Sequence, residues 1–238
     1  VQDAGGIWQL EDLASYRIEI RSPIKTQYKN LSVILPPPPT SGGVVLTQML
    51  AMLEGVELAQ LPAVERIHAI TEAMRRAYQD RALYLGDPAY SEIPMQMLLD
   101  KNYARAKFAC FDPQRASPSE QLAVTKLHEG QDTTHFSVLD PAGNFVAATL
   151  SINYPFGSGF VAPGTGILLN DEMDDFVIAP GVANVWGLVG AEANSIAPGK
   201  RMLSSMTPLF AYDDDRVLIA GTPGGSRIIS MLALALLD

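Results

Sequence analysis

The hydrophobic pattern of this chain changes period once, across a polar stretch at residues 112–132. Before that stretch, apolar residues recur at helical spacing over residues 43–54, 62–83 and 94–109. After it they alternate. Residues 134–139 and 145–152 both read as strands, and Pro141-Ala142-Gly143-Asn144 between them reads as a hairpin turn. A chain carrying both periods has to fold as mixed helix and strand, although the pattern does not say how the layers stack. Finer features fill in the outline. Residues 11–16 read as a short helix and residues 18–34 as strand-like alternation. Pro36-Pro37-Pro38-Pro39 cannot be helix, and Pro62 suits the first turn of the long helix that follows it. Residues 112–132 hold Pro, Ser, Gly, Gln and charge, which is linker composition. Residue 228 opens a final apolar helix. A length of 238 residues suffices for roughly one or two domains. The two blocks, 1–132 and 133–238, read as two parts of one domain.

The linker runs into Asp132-Thr133-Thr134-His135-Phe136-Ser137-Val138. A cut before Thr133 would make that threonine a chain terminus. It would then carry a hydroxyl nucleophile and, on the same residue, an amine able to act as its base. An α-amine has a reference pKa of roughly 7.7–8.0, so a useful fraction is neutral near physiological pH. An amide nitrogen within an intact chain cannot play that part.

Composition excludes several function classes. The net charge of −9 argues against nucleic acid, because phosphate contact needs clustered Lys and Arg. The single cysteine, Cys110, cannot form an intrachain disulfide, and its apolar neighbours suggest a buried, inert thiol. His68, His128 and His135 show no metal-ligand spacing, so neither a metal nor another cofactor is expected. No signal peptide or membrane span is visible. The chain begins at Val1 and stops within an apolar run, and the expectation is a fragment.

Further motifs follow in order: Phe156-Gly157-Ser158-Gly159, Gly164-Thr165-Gly166-Ile167-Leu168-Leu169-Asn170, Asp171-Glu172-Met173-Asp174-Asp175-Phe176, Lys200-Arg201-Met202-Leu203-Ser204-Ser205-Met206-Thr207-Pro208 and Gly221-Thr222-Pro223-Gly224-Gly225-Ser226-Arg227. Together with Thr133 this run closely resembles the γ-glutamyltransferase family of N-terminal-nucleophile hydrolases. Pro36-Pro37-Pro38-Pro39-Thr40-Ser41-Gly42-Gly43 and Asp80-Arg81-Ala82-Leu83-Tyr84-Leu85-Gly86-Asp87-Pro88 resemble the family's large-subunit motifs. The resemblance covers nearly the whole chain. It implies an α+β fold, the four-layer αββα sandwich, and a precursor that cuts itself before Thr133 into large and small subunits. It implies transfer of a γ-glutamyl group from a small-molecule donor to an amino acid, a peptide or water. A periplasmic or secreted location is implied by resemblance alone.

Residue roles follow from the same resemblance. Thr133 is the nucleophile. Ser151 stands where the family usually has the threonine that orients it, and serine keeps the donor but lacks the methyl that fixes the rotamer. Gly224 and Gly225 are the oxyanion-hole positions. As a bare Pro-Gly-Gly turn they would need no ligand, but consecutive glycines can turn N–H groups inward as an anion nest. Asp175 and Glu172, helped by Asn153, face the donor's ammonium, while Ser204 and Ser205 face its carboxylate. An arginine for that carboxylate is expected upstream of Val1. Asp174 is expected to face away from Asp175, as neighbours do on extended backbone. Residues 180–191 align with a lid loop, where Trp186 replaces a common tyrosine. Two alternatives stay open. One is an acylase of the same fold taking glutaryl or other acyl groups. Asp175 speaks against it, since a neutral chain leaves its charge unpaired. The other is a non-catalytic homologue or an inert fragment.

Overall fold

Twelve consecutive residues at the centre of the molecule, α2 (Gly42–Leu53), are all buried. The sequence explains this, because Val, Leu, Met and Ala surround the whole helix and leave no polar stripe for solvent. A computed structural model describes residues 1–118, 133–182 and 190–238. In it, α2 is wrapped by α3 (Ala63–Tyr84), α5 (Lys101–Phe108), α6 (Ile228–Leu237) and strand β1 (Ile24–Tyr28). A short α1 (Leu10–Ser15) lies in an exposed N-terminal arm.

A four-stranded antiparallel sheet closes the other side of this helical core. It is ordered β1–β2–β5–β6, with β2 at Leu31–Leu35, β5 at Leu209–Tyr212 and β6 at Val217–Ala220. The β2–β5 pairing, Val33 opposite Ala211, joins the two blocks of the chain within one sheet. Val33, Leu35, Leu209 and Ala211 belong to the buried core shared with α2. Phe210, on the opposite face of β5, meets Phe145 at 6.2 Å between ring centroids. Phe145 opens β4 (Phe145–Leu150), which pairs with β3 (Thr134–Leu139) as a two-stranded hairpin. The layers therefore run helices, sheet, hairpin. The hairpin's inner face carries polar links, such as Ser137 Oγ donating to Ile219 O at 3.1 Å. Phe136, Val138 and Val146 are left exposed.

Sequence expectation and structure part in several places. Residues 94–109 form two helices, α4 (Met95–Leu98) and α5, because Asp100 caps the second by accepting from Asn102 N at 2.8 Å. Strand alternation is realised only from Ile24 onward, since residues 17–23 join no strand among the described residues. Cys110 is exposed, not buried. Phe108 and Phe111 stack on each other at 4.8 Å, and the thiol makes polar contacts, accepting from Arg76 Nη2 at 3.5 Å and donating to Lys107 O at 3.4 Å. The linker's first residues are also held. Ser117 Oγ donates to Glu72 Oε2 at 2.6 Å and accepts from Arg76 at 3.0 Å. Residues 119–132, including His128, lie outside the described residues.

Polar groups fasten α3 to its neighbours. Asp80 is buried and accepts from Gln48 Nε2 at 2.8 Å, from Tyr103 at 3.2 Å and from Lys107 Nζ. Removing one partner of a buried ionic cluster strands the others, so Asp80→Ala should lower stability by about 3 kcal/mol. A urea-unfolding midpoint on the full-length protein measures this, and an unchanged midpoint would show the cluster to be energetically idle.

Candidate active site

The hairpin register builds the first part of the site. Thr134 pairs with Leu150, so the next residue outward on each strand, Thr133 and Ser151, face each other at the open end. Thr133 is 9% exposed, and its Oγ1 donates to Ser151 Oγ at 3.4 Å. Ser151 Oγ also accepts from Asn153 N at 3.0 Å. Asn153 is buried and left-handed, with φ 72°, a conformation asparagine tolerates better than most side chains. Its Nδ2 donates to Asp171 O at 3.3 Å, which draws the acidic segment against the hairpin.

That segment is a 3₁₀ turn over Glu172–Asp175, not extended backbone. Asp174 accepts from Tyr154 OH at 3.3 Å. Glu172 sits beside Ser151 and Asp175, and its Oε1 is buried without a hydrogen-bond partner among the described residues. Burial pushes the Glu172 carboxyl up. Burial, reinforced by the neighbouring Glu172 charge, pushes Asp175 up to about 7, while Arg81 pulls the other way. Two crowded carboxylates cannot both ionise cheaply, so the pair holds a proton near neutrality.

Asn194 ties this acidic turn to the serine pair. Its Nδ2 donates to Asp175 O at 2.7 Å and its Oδ1 accepts from Leu203 N at 3.0 Å. Ser204 is then fixed from the other block of the chain. Its carbonyl accepts from Ser41 N at 2.8 Å, Ser41 Oγ at 2.8 Å and Thr40 Oγ1 at 3.2 Å. Gly42 permits this approach, because a Cβ there would lie 1.9 Å from Thr207 Oγ1. Ser205 Oγ accepts from Arg81 Nη2 at 3.1 Å. Asn194 and Arg81 carry no role in the sequence reading. Arg81 lies within the motif run at residues 80–88, and Asn194 lies outside every quoted motif.

Gly224 and Gly225 both have positive φ, 137° and 54°, and lead through a 3₁₀ turn into α6. Their N–H groups donate to nothing among the described residues. Tyr78 of α3 anchors the turn by donating to Ser226 O at 2.6 Å, and burial pushes its phenol up to about 12. The glycines make no hydrogen bond to Thr133 or Ser151. The approach to the nucleophile's strand is at Gly221, where a Cβ would lie 2.0 Å from His135 Nδ1. Trp186 lies outside the described residues. No group of three or more His, Cys, Asp or Glu side chains that could hold a metal occurs among the described residues.

The raised Asp175 pKa fixes a sign for stability. A folded carboxyl that holds its proton to about 7 favours the fold below the unfolded value near 4, and that advantage is lost as pH rises to 7. Asp175→Asn abolishes the repulsion, so its gain in melting temperature should be larger at pH 8 than at pH 5. Equal shifts at both pH values in thermal unfolding would contradict the coupled pair.

Comparison with known proteins places this geometry. The family model described as Gamma-glutamyltranspeptidase matches residues 1–238. The chain is 44% identical over 238 residues to the glutathione hydrolase proenzyme of Pseudomonas sp. strain A14, covering 98% of this chain and 41% of that protein. It is 43% identical over 235 residues to the glutathione hydrolase proenzyme of Escherichia coli K12, covering 97% of this chain and 40% of that one. Among solved structures, cephalosporin acylase from Bacillus halodurans superposes with a TM-score of 0.76 at 25% identity, over 99% of this chain and 40% of that one. The chain thus spans about two fifths of the length of these relatives. Matched along its whole length, and with helices and antiparallel sheets arranged as in a related structure, the chain belongs to the gamma-glutamyltranspeptidase family.

Proposed function

We propose that these residues form the catalytic heart of a glutathione hydrolase, a γ-glutamyltransferase made as a proenzyme and activated by cleavage before Thr133. The observation that carries this is the pairing of Thr133 with Ser151, backed by the Glu172–Asp175 pair. In the first step the Thr133 hydroxyl attacks the Asp132 carbonyl, and water opens the resulting ester. This frees the α-amine that then serves as base. In turnover the same hydroxyl attacks the γ-glutamyl carbonyl, the amine takes its proton and returns it to the leaving group, and an acyl-threonine forms. Water, an amino acid or a peptide resolves it. Gly224 and Gly225, with N–H groups free of partners among the described residues, are the donors we assign to the oxyanion.

The donor's head group fits the charges. Its ammonium meets Asp175, Glu172 and the Asn153 amide oxygen, displacing the shared proton, and its carboxylate meets Ser204 and Ser205. Trp186 is the proposed lid residue. In the αββα sandwich we propose, the helix, sheet and hairpin layers would be three of the four, and the exposed Phe136, Val138 and Val146 would be the face a further helical layer covers. After cleavage, 1–132 and 133–238 would remain parts of one domain as large- and small-subunit segments. No cofactor enters this chemistry.

A glutaryl-type acylase is the second reading, favoured by the likeness to cephalosporin acylase. A protonated Asp175 is uncharged, so an acyl chain lacking the amine would not strand a buried anion there.

Two experiments on the full-length protein decide. Thr133→Ala should leave the chain uncut by intact mass and release no p-nitroaniline from γ-glutamyl-p-nitroanilide. Normal processing of that variant would remove Thr133 as nucleophile. Hydrogen bonds to charged groups are worth about 1.5–3 kcal/mol, so Asp175→Asn should reduce kcat/KM for γ-glutamyl-p-nitroanilide at least tenfold. It should leave glutaryl-p-nitroanilide unchanged or improved. An equal loss for both donors would make Asp175 structural, and a wild-type preference for the glutaryl donor would favour the acylase.

A further inference from the structure

Arg81 is the one guanidinium of α3 buried without a carboxylate within ion-pair distance among the described residues. It is 5% exposed. Among the described residues its side chain donates to two hydroxyls: Nε to Ser41 Oγ at 3.0 Å and Nη2 to Ser205 Oγ at 3.1 Å. A buried cation is costly unless it is compensated, and two hydroxyl acceptors neutralise nothing. The negative charge it senses belongs to Asp175, beyond hydrogen-bond range. Arg81 therefore stands between the acidic turn and the serine pair, with capacity left for an anion.

The hydrogen-bond directions sharpen this. A hydroxyl has one proton to give and two lone pairs. Guanidinium can only donate, so Ser41 Oγ and Ser205 Oγ must both accept from it. Ser41 then directs its own proton to Ser204 O at 2.8 Å, which spends its single donor. Ser205 Oγ makes no donation among the described residues, so its proton is left for a group outside the protein. An arginine behind a hydroxyl also makes that hydroxyl a better donor, since charge-assisted hydrogen bonds in a chain polarise one another.

We propose that Arg81 is a positioning residue that sets donor specificity. By occupying a lone pair of Ser205 Oγ, and by holding Ser204 through Ser41, it commits the Ser205 proton to an anionic head group and supplies the positive field behind it. The site would then select acyl donors with a carboxylate on the carbon next to the ammonium, over otherwise identical donors lacking it. This rests on the γ-glutamyl reading above and adds to it a residue from the other block of the chain.

The test uses the full-length protein and three p-nitroanilides: γ-glutamyl, glutaryl (no ammonium) and 4-aminobutanoyl (no α-carboxylate). Arg81→Gln should still be cut before Thr133. Its KM for the γ-glutamyl donor should rise at least tenfold with kcat changed less than threefold, whereas its kcat/KM for the 4-aminobutanoyl donor should change less than twofold. Ser205→Ala should show the same donor pattern, and adding Arg81→Gln to it should cost less than the two single losses combined, because both act on the Ser205 hydrogen bond. Arg81→Lys keeps the charge but cannot reach both hydroxyls, and should fall between wild type and Arg81→Gln. Equal losses on the γ-glutamyl and 4-aminobutanoyl donors, fully additive losses in the double variant, or failure of both Arg81 variants to accumulate and be cut would overturn the proposal. A wild-type protein inactive on the γ-glutamyl donor would instead sink the functional reading itself.

Discussion

The C-terminal half of α3 is the constraint on which the site's loops depend. A helix gives its side chains fixed spacing and direction, and here that precision is lent to segments with no regular structure of their own. Tyr78 holds the glycine turn at Ser226, and Arg81 holds Ser205. Ala82 O accepts from Ala191 N at 2.8 Å, which fixes one end of residues 180–191. Just past the helix, Asp87 accepts from Arg201 N at 2.9 Å. Gly86 leaves so little room that a Cβ would lie 2.0 Å from Ala193 O. α3 is in turn pinned by Asp80 to the buried α2. Loops that carry chemistry need such rigid backing, since a loop alone cannot hold side chains to within a fraction of an ångström.

Much of this was legible in the sequence where the physics is local. The hairpin followed from alternation and a turn. Asp140 accepts from Asn144 N at 2.8 Å and Gly143 takes φ 84°, the interactions Pro141-Ala142-Gly143-Asn144 implied. Once that register holds, the meeting of Thr133 and Ser151 is geometry. The break at Asp100 was missed, because helical periodicity continues on both sides of the aspartate that caps the second helix. Asp174 and Asp175 lie together in a 3₁₀ turn where extended backbone was expected, and the Asp174 charge still acts on Asp175.

What stayed hidden depends on distance along the chain. Arg81 meets Ser41 across 40 residues and Ser205 across 124, and no local pattern announces either contact. Asn194 likewise bridges the acidic turn and residue 203 through a side chain whose neighbours suggest a loop. Cys110 failed for a different reason. Apolar neighbours in sequence do not fix which way a residue faces once two of them, Phe108 and Phe111, stack on each other. The proton shared by Glu172 and Asp175 is a property of burial and proximity, and a pair of acids in a row cannot disclose it.

The β2–β5 pairing has a consequence for the life of the molecule. Val33 and Ala211 come from opposite sides of the proposed cut, yet they are neighbours in one sheet over one core. A chain severed before Thr133 would therefore be two polypeptides sharing a single interior, and to separate them would be to unfold them. Before the cut, folding is a first-order event that each molecule completes alone. After it, recovery from denaturation becomes a second-order encounter between strangers, dependent on concentration. Maturation would thus turn a refoldable chain into an object that is assembled once, its persistence set by how slowly it comes apart.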